Sequence, residues 1–260
     1  YVLPLTWISG EKEYSGSMEG EREAYALFYE KLRKEKHIST SMSNQRVAQK
    51  LVQKLLSEEK DILYIGLSSK LSGTFHMMER VLGYEAKKYP ERKWYAVDSF
   101  AIGLGEGSLV FDAAKIRRRG EEIGAAYAWC CQRRWRLHTL FTVDDLGFLR
   151  RSGRANAVLS TAGSVLKIKL LFSMQDGGKL RQVGKVRGRK KALQELTTQA
   201  LTGLTEPQTI YISHGDCHED ACYVAKQMEK SEFVKKIIMQ PLDPVSACHT
   251  GPNSIGIFFV

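Results

Sequence analysis

Apolar and polar positions alternate along the first half of the chain in a way that predicts strands followed by helices. The run Ile62 to Leu67 is short and almost wholly apolar, as expected for a buried strand, and residues 74–88 then repeat apolar side chains with helical spacing. The same order predicts strands at residues 2–8 and 94–97, and helices at residues 19–34, 47–55, 105–118 and 121–134. Strands separated by helices usually pair in parallel, so we predict an α/β domain with a mainly parallel sheet over residues 1–138.

The second half has shorter predicted strands in a different order. Its clearest feature is a hairpin, in which Lys167 to Met174 and Lys179 to Val186 flank the turn Asp176-Gly177-Gly178. The other predicted strands are residues 139–143, 209–213, 237–240 and 254–260, and the other predicted helices are residues 144–149, 156–166, 190–201 and 219–230. We therefore predict a second, smaller α+β domain over residues 139–260.

The composition is that of a folded protein without a membrane span. The chain has 260 residues, of which 43% are hydrophobic, so it can bury two cores of ordinary size. No stretch approaches the ~18 apolar residues of a membrane span, and none has the order of a signal peptide. The five cysteines are an odd number, and Cys130 and Cys131 are adjacent in a predicted helix. Reduced thiols in a cytoplasmic protein are therefore expected.

The charge balance changes this picture little. The chain has 39 basic and 29 acidic residues, a net charge of +10, which raises the question of nucleic-acid binding. The basic clusters are scattered, however, and match no nucleic-acid-binding module; they are Arg117-Arg118-Arg119, Arg133-Arg134-Trp135-Arg136 and Arg187-Gly188-Arg189-Lys190-Lys191. A solvated face or an acidic protein partner is the better interpretation, and no nucleic-acid partner is expected.

The most informative chemistry lies in the polar loop Ser68 to Thr74, which joins a predicted strand to a predicted helix. Backbone N–H groups, hydroxyls and the positive end of the helix dipole converge at such a loop, and together they favour a small anion. Two more polar clusters are predicted in loops, at Thr40 to Ser43 and Cys248 to Pro252. Each alone is typical of a cap or a turn, but together they supply hydroxyls and one imidazole for a carboxylate or a phosphate.

The sequence gives less support for a metal site, a nucleophilic pair or a nucleotide-binding loop. The set His214, Cys217, His218 and Cys222 lacks the second knuckle of a zinc site, so no metal is expected. A nucleophilic pair of Cys248 and His249 is unfavourable because adjacent residues of an extended chain point to opposite sides. The chain also contains no Gly-x-x-x-x-Gly-Lys-Ser/Thr nucleotide loop.

Asp98, Ser99 and Arg154 are further candidates with an ordinary alternative. Asp98 and Ser99 close the strand at residues 94–97, where α/β sheets place ligand contacts, although Asp98 equally suits a cap of the next turn. Arg154 in its glycine turn offers a fork-shaped donor to an anion or an acidic partner, or is a solvated surface side chain.

In sequence and order, the motifs of the whole chain resemble the DegV family. The motifs that carry the resemblance are Thr40 to Ser43, Leu67 to Phe75, Val97 to Ser99, Asp145 to Arg154, Leu166 to Lys169, Asp176-Gly177, Lys185 to Lys191 and His249 to Pro252. The resemblance implies a two-domain protein that binds one long-chain fatty acid between its domains. It also implies a non-catalytic carrier without a cofactor, which presents the acyl carboxylate to a separate fatty acid kinase. No integral membrane segment is implied, and at most transient membrane contact.

The resemblance also assigns roles to residues. It places Thr40, Ser72 and His249 at the fatty-acid carboxylate, and Arg154 at the kinase or a phosphorylated head group. Supporting positions in the same loops are Ser41, Gly73, Thr74, Asp98, Ser99, Thr250 and Gly251. The chain departs from the family pattern at Met42, Ser43, Ser152, Leu170 and Asn253, and the first strand of the family, with its Asp-Ser and Asp-Leu-Pro motif, does not precede Tyr1.

A different class of function uses the same anion-binding loops. A small-molecule hydrolase or phosphotransferase also holds a carboxylate or a phosphate with hydroxyls at a helix N-terminus. The sequence lacks a nucleotide loop, a metal set and a well-spaced nucleophile and base, so the carrier is the favoured hypothesis.

Overall fold

The computed structural model describes residues 1–17, 22–35, 38–154 and 168–260, which form eleven strands and nine α-helices. The strands are β1 (Thr6–Ser9), β2 (Lys12–Ser15), β3 (Ile38–Ser41), β4 (Ile62–Gly66), β5 (Trp94–Asp98), β6 (His138–Thr142), β7 (Ile168–Gln175), β8 (Lys179–Arg187), β9 (Gln208–His214), β10 (Val234–Pro241) and β11 (Ile255–Phe259). The helices are α1 (Arg22–Lys34), α2 (Gln45–Ser57), α3 (Thr74–Glu85), α4 (Gly103–Arg118), α5 (Ile123–Arg133), α6 (Leu146–Ser152), α7 (Arg189–Gly203), α8 (His218–Met228) and α9 (Pro244–Thr250). None of these helices is long and apolar enough to cross a membrane.

The largest sheet has six strands in the order β10-β9-β11-β6-β7-β8. Only β9 and β10 pair in parallel, and the four other neighbouring pairs are antiparallel. Ile210 and Ile212 of β9 are fully buried with Leu196 of α7 and Val224 of α8, because alternate strand residues point to the same face. The predicted hairpin is confirmed as β7 and β8, with Gln175 opposite Lys179 across the turn.

A parallel pair of strands supports the polar loop. β4 and β5 pair in parallel, with Ile62 opposite Trp94 and Gly66 opposite Asp98. Helices α2 and α3 cover this pair through a buried cluster that includes Val52 and Leu82. The predicted strand-helix-strand unit is therefore confirmed here, and it places the loop before α3 and the end of β5 at the same edge.

The expectation of a mainly parallel first half is wrong for residues 1–41. β1 pairs antiparallel with both β2 and β3 in a separate three-stranded sheet. Gly10, with φ +59°, allows the tight turn between β1 and β2, so no helix separates these two strands. Alternation of strand and helix is thus broken at the start of the chain.

The three-stranded sheet and α1 pack against the last part of the chain. Trp7, Phe28 and Leu32 share a buried cluster with Leu242 and Cys248. The Tyr29 hydroxyl donates to the Leu242 backbone carbonyl oxygen at 2.9 Å. This packing brings β3 beside α9. The division into domains near residue 138 stays a prediction.

Two short elements replace predicted loops. β3 contains Thr40, and α9 contains Cys248 and His249. Helix α2 is capped by Asn44, whose side-chain oxygen accepts from the Arg46 N–H at 2.9 Å, rather than by one of the preceding serines or Thr40. The predicted helix at residues 156–166 and the predicted helix start at residues 19–21 lie outside the described residues, as does Lys167.

Candidate functional site

Thr40 and His249 meet although they are 209 residues apart in sequence. The Thr40 Oγ1 atom lies 2.9 Å from the His249 Nε2 atom. Burial, together with the nearby positive charge of Arg154, lowers the pKa of His249 to about 4. The imidazole is therefore neutral at pH 7, and the pair can pass a hydrogen bond onward to an anion.

The end of α9 fixes the position of His249. The Asp243 carboxylate caps this helix by accepting from the Ser246 N–H at 2.9 Å, and Pro244 occupies the first helical position. The helix ends at Gly251, which has φ +77° and would place a Cβ atom 2.5 Å from the Phe148 ring. Only glycine satisfies both conditions, so Gly251 has a structural role in the His-Thr-Gly-Pro motif.

Ser72 and Thr74 form the hydroxyl pair at the start of α3. Their Oγ and Oγ1 atoms are 3.0 Å apart, and the Thr74 N–H donates to Ser72 Oγ at 3.3 Å. Thr74 is buried, whereas Ser72 is partly exposed. When Thr74 donates to Ser72, the Ser72 hydroxyl proton is available to a ligand.

Asp98 and Ser99 form hydrogen bonds with backbone groups of the loops at this edge of the sheet. The Asp98 carboxylate accepts from the backbone N–H groups of Ser69, at 3.2 Å, and of Phe100, at 3.1 Å. Ser99 Oγ accepts from the Ala101 N–H at 3.2 Å. These bonds favour the ordinary interpretation of Asp98 as a residue that stabilises the turn.

An apolar cleft adjoins the Thr40–His249 pair. It holds about 730 Å³ of open space, its mouth included. Its polar lining residues are Thr40, Ser41, Ser72, Arg154, Ser246, His249 and Thr250, and its apolar lining residues are Leu5, Met42, Leu67, Leu71, Ile102, Phe141, Leu149, Met174, Leu180 and Val245. The structure thus brings Thr40, Ser72, His249 and Arg154 to one cleft, between segments from both halves of the chain. Asp98 and Ser99 do not line it.

Arg154 lies at the rim of this cleft. Its Nε atom is 3.5 Å from the Leu71 carbonyl oxygen, and its NH1 group donates to the Ser152 carbonyl oxygen at 2.7 Å. Because Leu71 immediately precedes Ser72, the guanidinium group stands beside the hydroxyl pair. The side chain is exposed, so it can also contact a molecule that approaches from outside.

The identity of the fold family rests on a comparison with known proteins. A family model described as "Uncharacterised protein, DegV family" matches residues 1–260. The chain belongs to the DegV family. The DegV domain-containing protein CPE0026 of Clostridium perfringens is 36% identical over 201 residues, which cover 76% of this chain and 69% of that protein.

Solved DegV structures share the fold and bind fatty acids. A DegV family protein from Thermus thermophilus, described by its fatty acid binding, superposes with a TM-score of 0.86 at 25% identity, covering 98% of this chain and 90% of that one. A DegV family protein from Ruminococcus gnavus, refined with vaccenic acid, gives a TM-score of 0.88 at 18% identity, with the same two coverages of 98% and 90%.

The departures from the DegV pattern have distinct environments. Met42 is half-exposed and lines the cleft, and a Cβ atom at Gly73 would lie 2.8 Å from its sulfur. Ser43 is buried and donates to the Pro4 carbonyl oxygen at 2.9 Å, while Leu170 is buried in the core. Ser152 donates to the Leu149 carbonyl oxygen at 2.8 Å, and Asn253 adopts φ +60°. Only Met42 among the five lines the apolar cleft.

The histidine and cysteine cluster of this DegV protein is tied by local bonds. His214 Nδ1 accepts from the Cys217 N–H at 3.3 Å, and Cys222 Sγ lies 3.4 Å from His218 Nε2. Among the described residues, no three His, Cys, Asp or Glu side chains are placed to hold one metal ion.

Sequence reasoning missed most of the cleft wall. Ile102, Phe141 and Leu180 line the cleft from three different elements or their ends. In the sequence they have the spacing of ordinary core residues, and nothing distinguishes an apolar side chain that faces a cleft from one that faces the core. The family resemblance identified the polar residues of the cleft, whereas its apolar residues are identified only by the tertiary structure.

Proposed function

We propose that this protein binds one long-chain fatty acid, with the carboxylate held by Thr40, Ser72 and His249 and the acyl chain in the apolar cleft. The observation that carries the proposal is the convergence of these three side chains at a cleft whose remaining wall is largely apolar. Such a site suits a ligand with one small anionic end and a long apolar remainder. The fatty acids bound by DegV relatives have this chemistry.

The polar groups favour binding of a carboxylate rather than its conversion. The Ser72 hydroxyl can donate one charge-assisted hydrogen bond to a carboxylate, and the Thr40–His249 pair, whose mutual hydrogen bond uses one of its two protons, can donate another. The thiol of Cys248, the residue before His249, is buried, and burial together with the charge of Asp243 raises its pKa to about 12. A neutral thiol is a poor nucleophile, so a carrier is a better description than a hydrolase.

The carrier acts together with a fatty acid kinase in this proposal. Arg154 is exposed at the rim of the cleft, beside the loop that holds Ser72, and it offers the partner a fixed fork of donors next to the carboxylate. The kinase then transfers a phosphoryl group from ATP to the carboxylate, and the acyl chain stays in the cleft. No cofactor takes part in binding, and the protein works in the cytoplasm.

Replacing Ser72 by alanine is expected to weaken oleate binding by about 1–3 kcal/mol, because one charge-assisted hydrogen bond to the carboxylate is lost. The measurement is isothermal titration with oleate below its micelle concentration. Ser69→Ala is the matched control, since Ser69 lies in the same loop but does not line the cleft. Equal oleate affinities for the wild type and Ser72→Ala would remove Ser72 from the carboxylate site.

A further inference from the structure

A second cavity adjoins the Thr40–His249 pair and differs in character from the apolar cleft. It holds about 500 Å³ of open space, its mouth included, and is bounded by the end of α1, β3, α6 and α9. Along β3, Ile38 and Ser39 line the second cavity, Ser41 lines the cleft, and Thr40 lines both. Thr40 thus stands at the boundary between an apolar space and a more polar one.

Two arginines give the second cavity its charge. Arg151 and Arg154 both line it. The Asp145 carboxylate lies near Arg151: a Cβ atom at Gly147 would lie 2.9 Å from Asp145 Oδ1 and 3.0 Å from the Arg151 NH1 atom, and no ion pair joins these two described residues. The Arg151 guanidinium carbon lies 4.6 Å from the centre of the Phe148 ring. Stacking of this kind orients the guanidinium plane while its edges remain able to donate hydrogen bonds.

The other titratable groups of the wall do not neutralise this charge. Glu35 is the one acidic residue among the described lining residues, and its carboxylate is already bonded by the Ser9 hydroxyl and by Lys31 Nζ, the latter at 3.2 Å. Cys248 is a neutral thiol because burial raises its pKa to about 12. His249 is neutral at pH 7 because burial and Arg154 lower its pKa to about 4. The cavity therefore has an excess of positive charge with hydroxyls from Ser39 and Ser152 nearby.

We propose that this second cavity binds a phosphate oxyanion, with Arg151 as its principal ligand and Arg154 and His249 at the side that faces the apolar cleft. A tetrahedral phosphate dianion has enough oxygens to accept hydrogen bonds from two guanidinium groups at once. A single carboxylate, with two oxygens and one charge, fits two such groups less well. The anion is either free phosphate or the phosphoryl group of a lipid whose chain occupies the cleft, and this second source rests on the proposed function. Arg151 is then a specificity residue that the motif pattern alone does not reveal.

Two titrations test the proposal and separate the two sources. Inorganic phosphate alone, followed by ³¹P NMR, tests the free anion, and hexadecylphosphonate tests an oxyanion carried by an alkyl chain. Arg151→Gln is expected to weaken binding of at least one probe by at least about tenfold, since charge-assisted bonds are lost. Arg150→Gln is the matched control, because Arg150 is also exposed on α6 but does not line the cavity, and about a twofold effect or less is expected there.

The remaining outcomes are equally decisive. Arg151→Lys keeps the positive charge but loses the paired N–H donors of the guanidinium group. Its affinity for the phosphate or phosphonate probe should therefore lie between those of the wild type and Arg151→Gln. Equal weakening by Arg150→Gln and Arg151→Gln would overturn the proposal, because it would indicate general electrostatics only. Oleate binding by the wild type is measured in parallel. Oleate binding without saturable binding of either probe overturns this inference alone, whereas failure of oleate and of both probes overturns the proposed function as well.

Discussion

Replacing Gly178 by alanine is expected to destabilise the protein by about 2–4 kcal/mol and to loosen the loop that carries Ser72. Gly178 has φ +92°, and a Cβ atom there would lie 2.2 Å from Ser68 Oγ and 3.0 Å from the Phe100 Cα atom. In the native contact Ser68 Oγ donates to the Gly178 carbonyl oxygen at 2.9 Å, and Ser68 is fully buried. The hairpin turn thus packs directly against the loop Ser68 to Thr74. The Phe100 Cα atom belongs to the backbone, so it cannot move away from an added Cβ atom as a flexible side chain could.

The neighbouring glycine supplies the control. Gly177 has φ +72°, but a Cβ atom there would meet only the Phe100 and Trp135 rings, at 3.8 and 3.9 Å, which is ordinary contact. Gly177→Ala should therefore cost only the strain of the left-handed backbone, about 1 kcal/mol. Urea unfolding measures both changes. Equal losses for the two variants would show that the docking of the hairpin on Ser68 contributes nothing beyond backbone strain.

Acidification is expected to remove about 3 kcal/mol of stability through His249 alone. The folded state lowers the pKa of this imidazole from 6.5 to about 4, so between those values the unfolded chain takes up a proton that the folded protein resists. The stabilisation is complete above about pH 7, falls as the pH drops through 6.5, and is gone near pH 4. The cause is burial of the ring, with the charge of Arg154 as the second contribution.

The measurement is the free energy of unfolding in urea at several pH values for the wild type and His249→Gln. The difference between the two proteins isolates His249, because the carboxylates, His138 and the buried His214 titrate in both. His76→Gln is the control at an exposed histidine, whose side chain is 59% accessible. Parallel pH dependence for the wild type and His249→Gln would contradict a strongly lowered pKa at this residue.

Long periodic segments of this chain were predictable from the sequence. Secondary structure could be predicted where a segment has many periodic apolar positions or a clear turn. This holds for the strand Ile62–Gly66, the helix Thr74–Glu85 and the hairpin of β7 and β8. Their boundaries differ from the predictions by only a few residues. The polar loop before α3 was also predicted correctly, because the strand and the helix that flank it were predicted correctly.

Short elements were not predictable by the same means. β3 is Ile-Ser-Thr-Ser, with one apolar side chain in four residues, and α9 has only seven residues, which is too few for a periodic pattern. The antiparallel pairing of β1 with β3 joins strands that are separated in sequence by β2 and α1, and Trp7 of β1 shares a buried cluster with Leu242, so these contacts link distant parts of the chain. These contacts bring Thr40 to His249.

Some residues of the candidate site were predictable from the sequence and others were not. Polar clusters and the family resemblance singled out Thr40, Ser72, His249 and Arg154 as a group, and all four line one cleft. The second cavity and Arg151 were not foreseen, because a basic residue in the run Arg150-Arg151 is indistinguishable from a solvated surface charge until its neighbours are known. Geometry, rather than residue type, gives Arg151 its candidate role.

The ligand that the proposed function requires is one fatty acid, with its acyl chain in the apolar cleft and its carboxylate at Thr40, Ser72 and His249. Native mass spectrometry of the purified protein tests this requirement most directly, first as isolated and then after incubation with oleate or palmitate. We predict a complex of one protein with one fatty acid, which disappears on denaturation and yields a free fatty acid in the lipid extract. A protein that carries no lipid when isolated and takes up neither oleate nor palmitate would contradict the account.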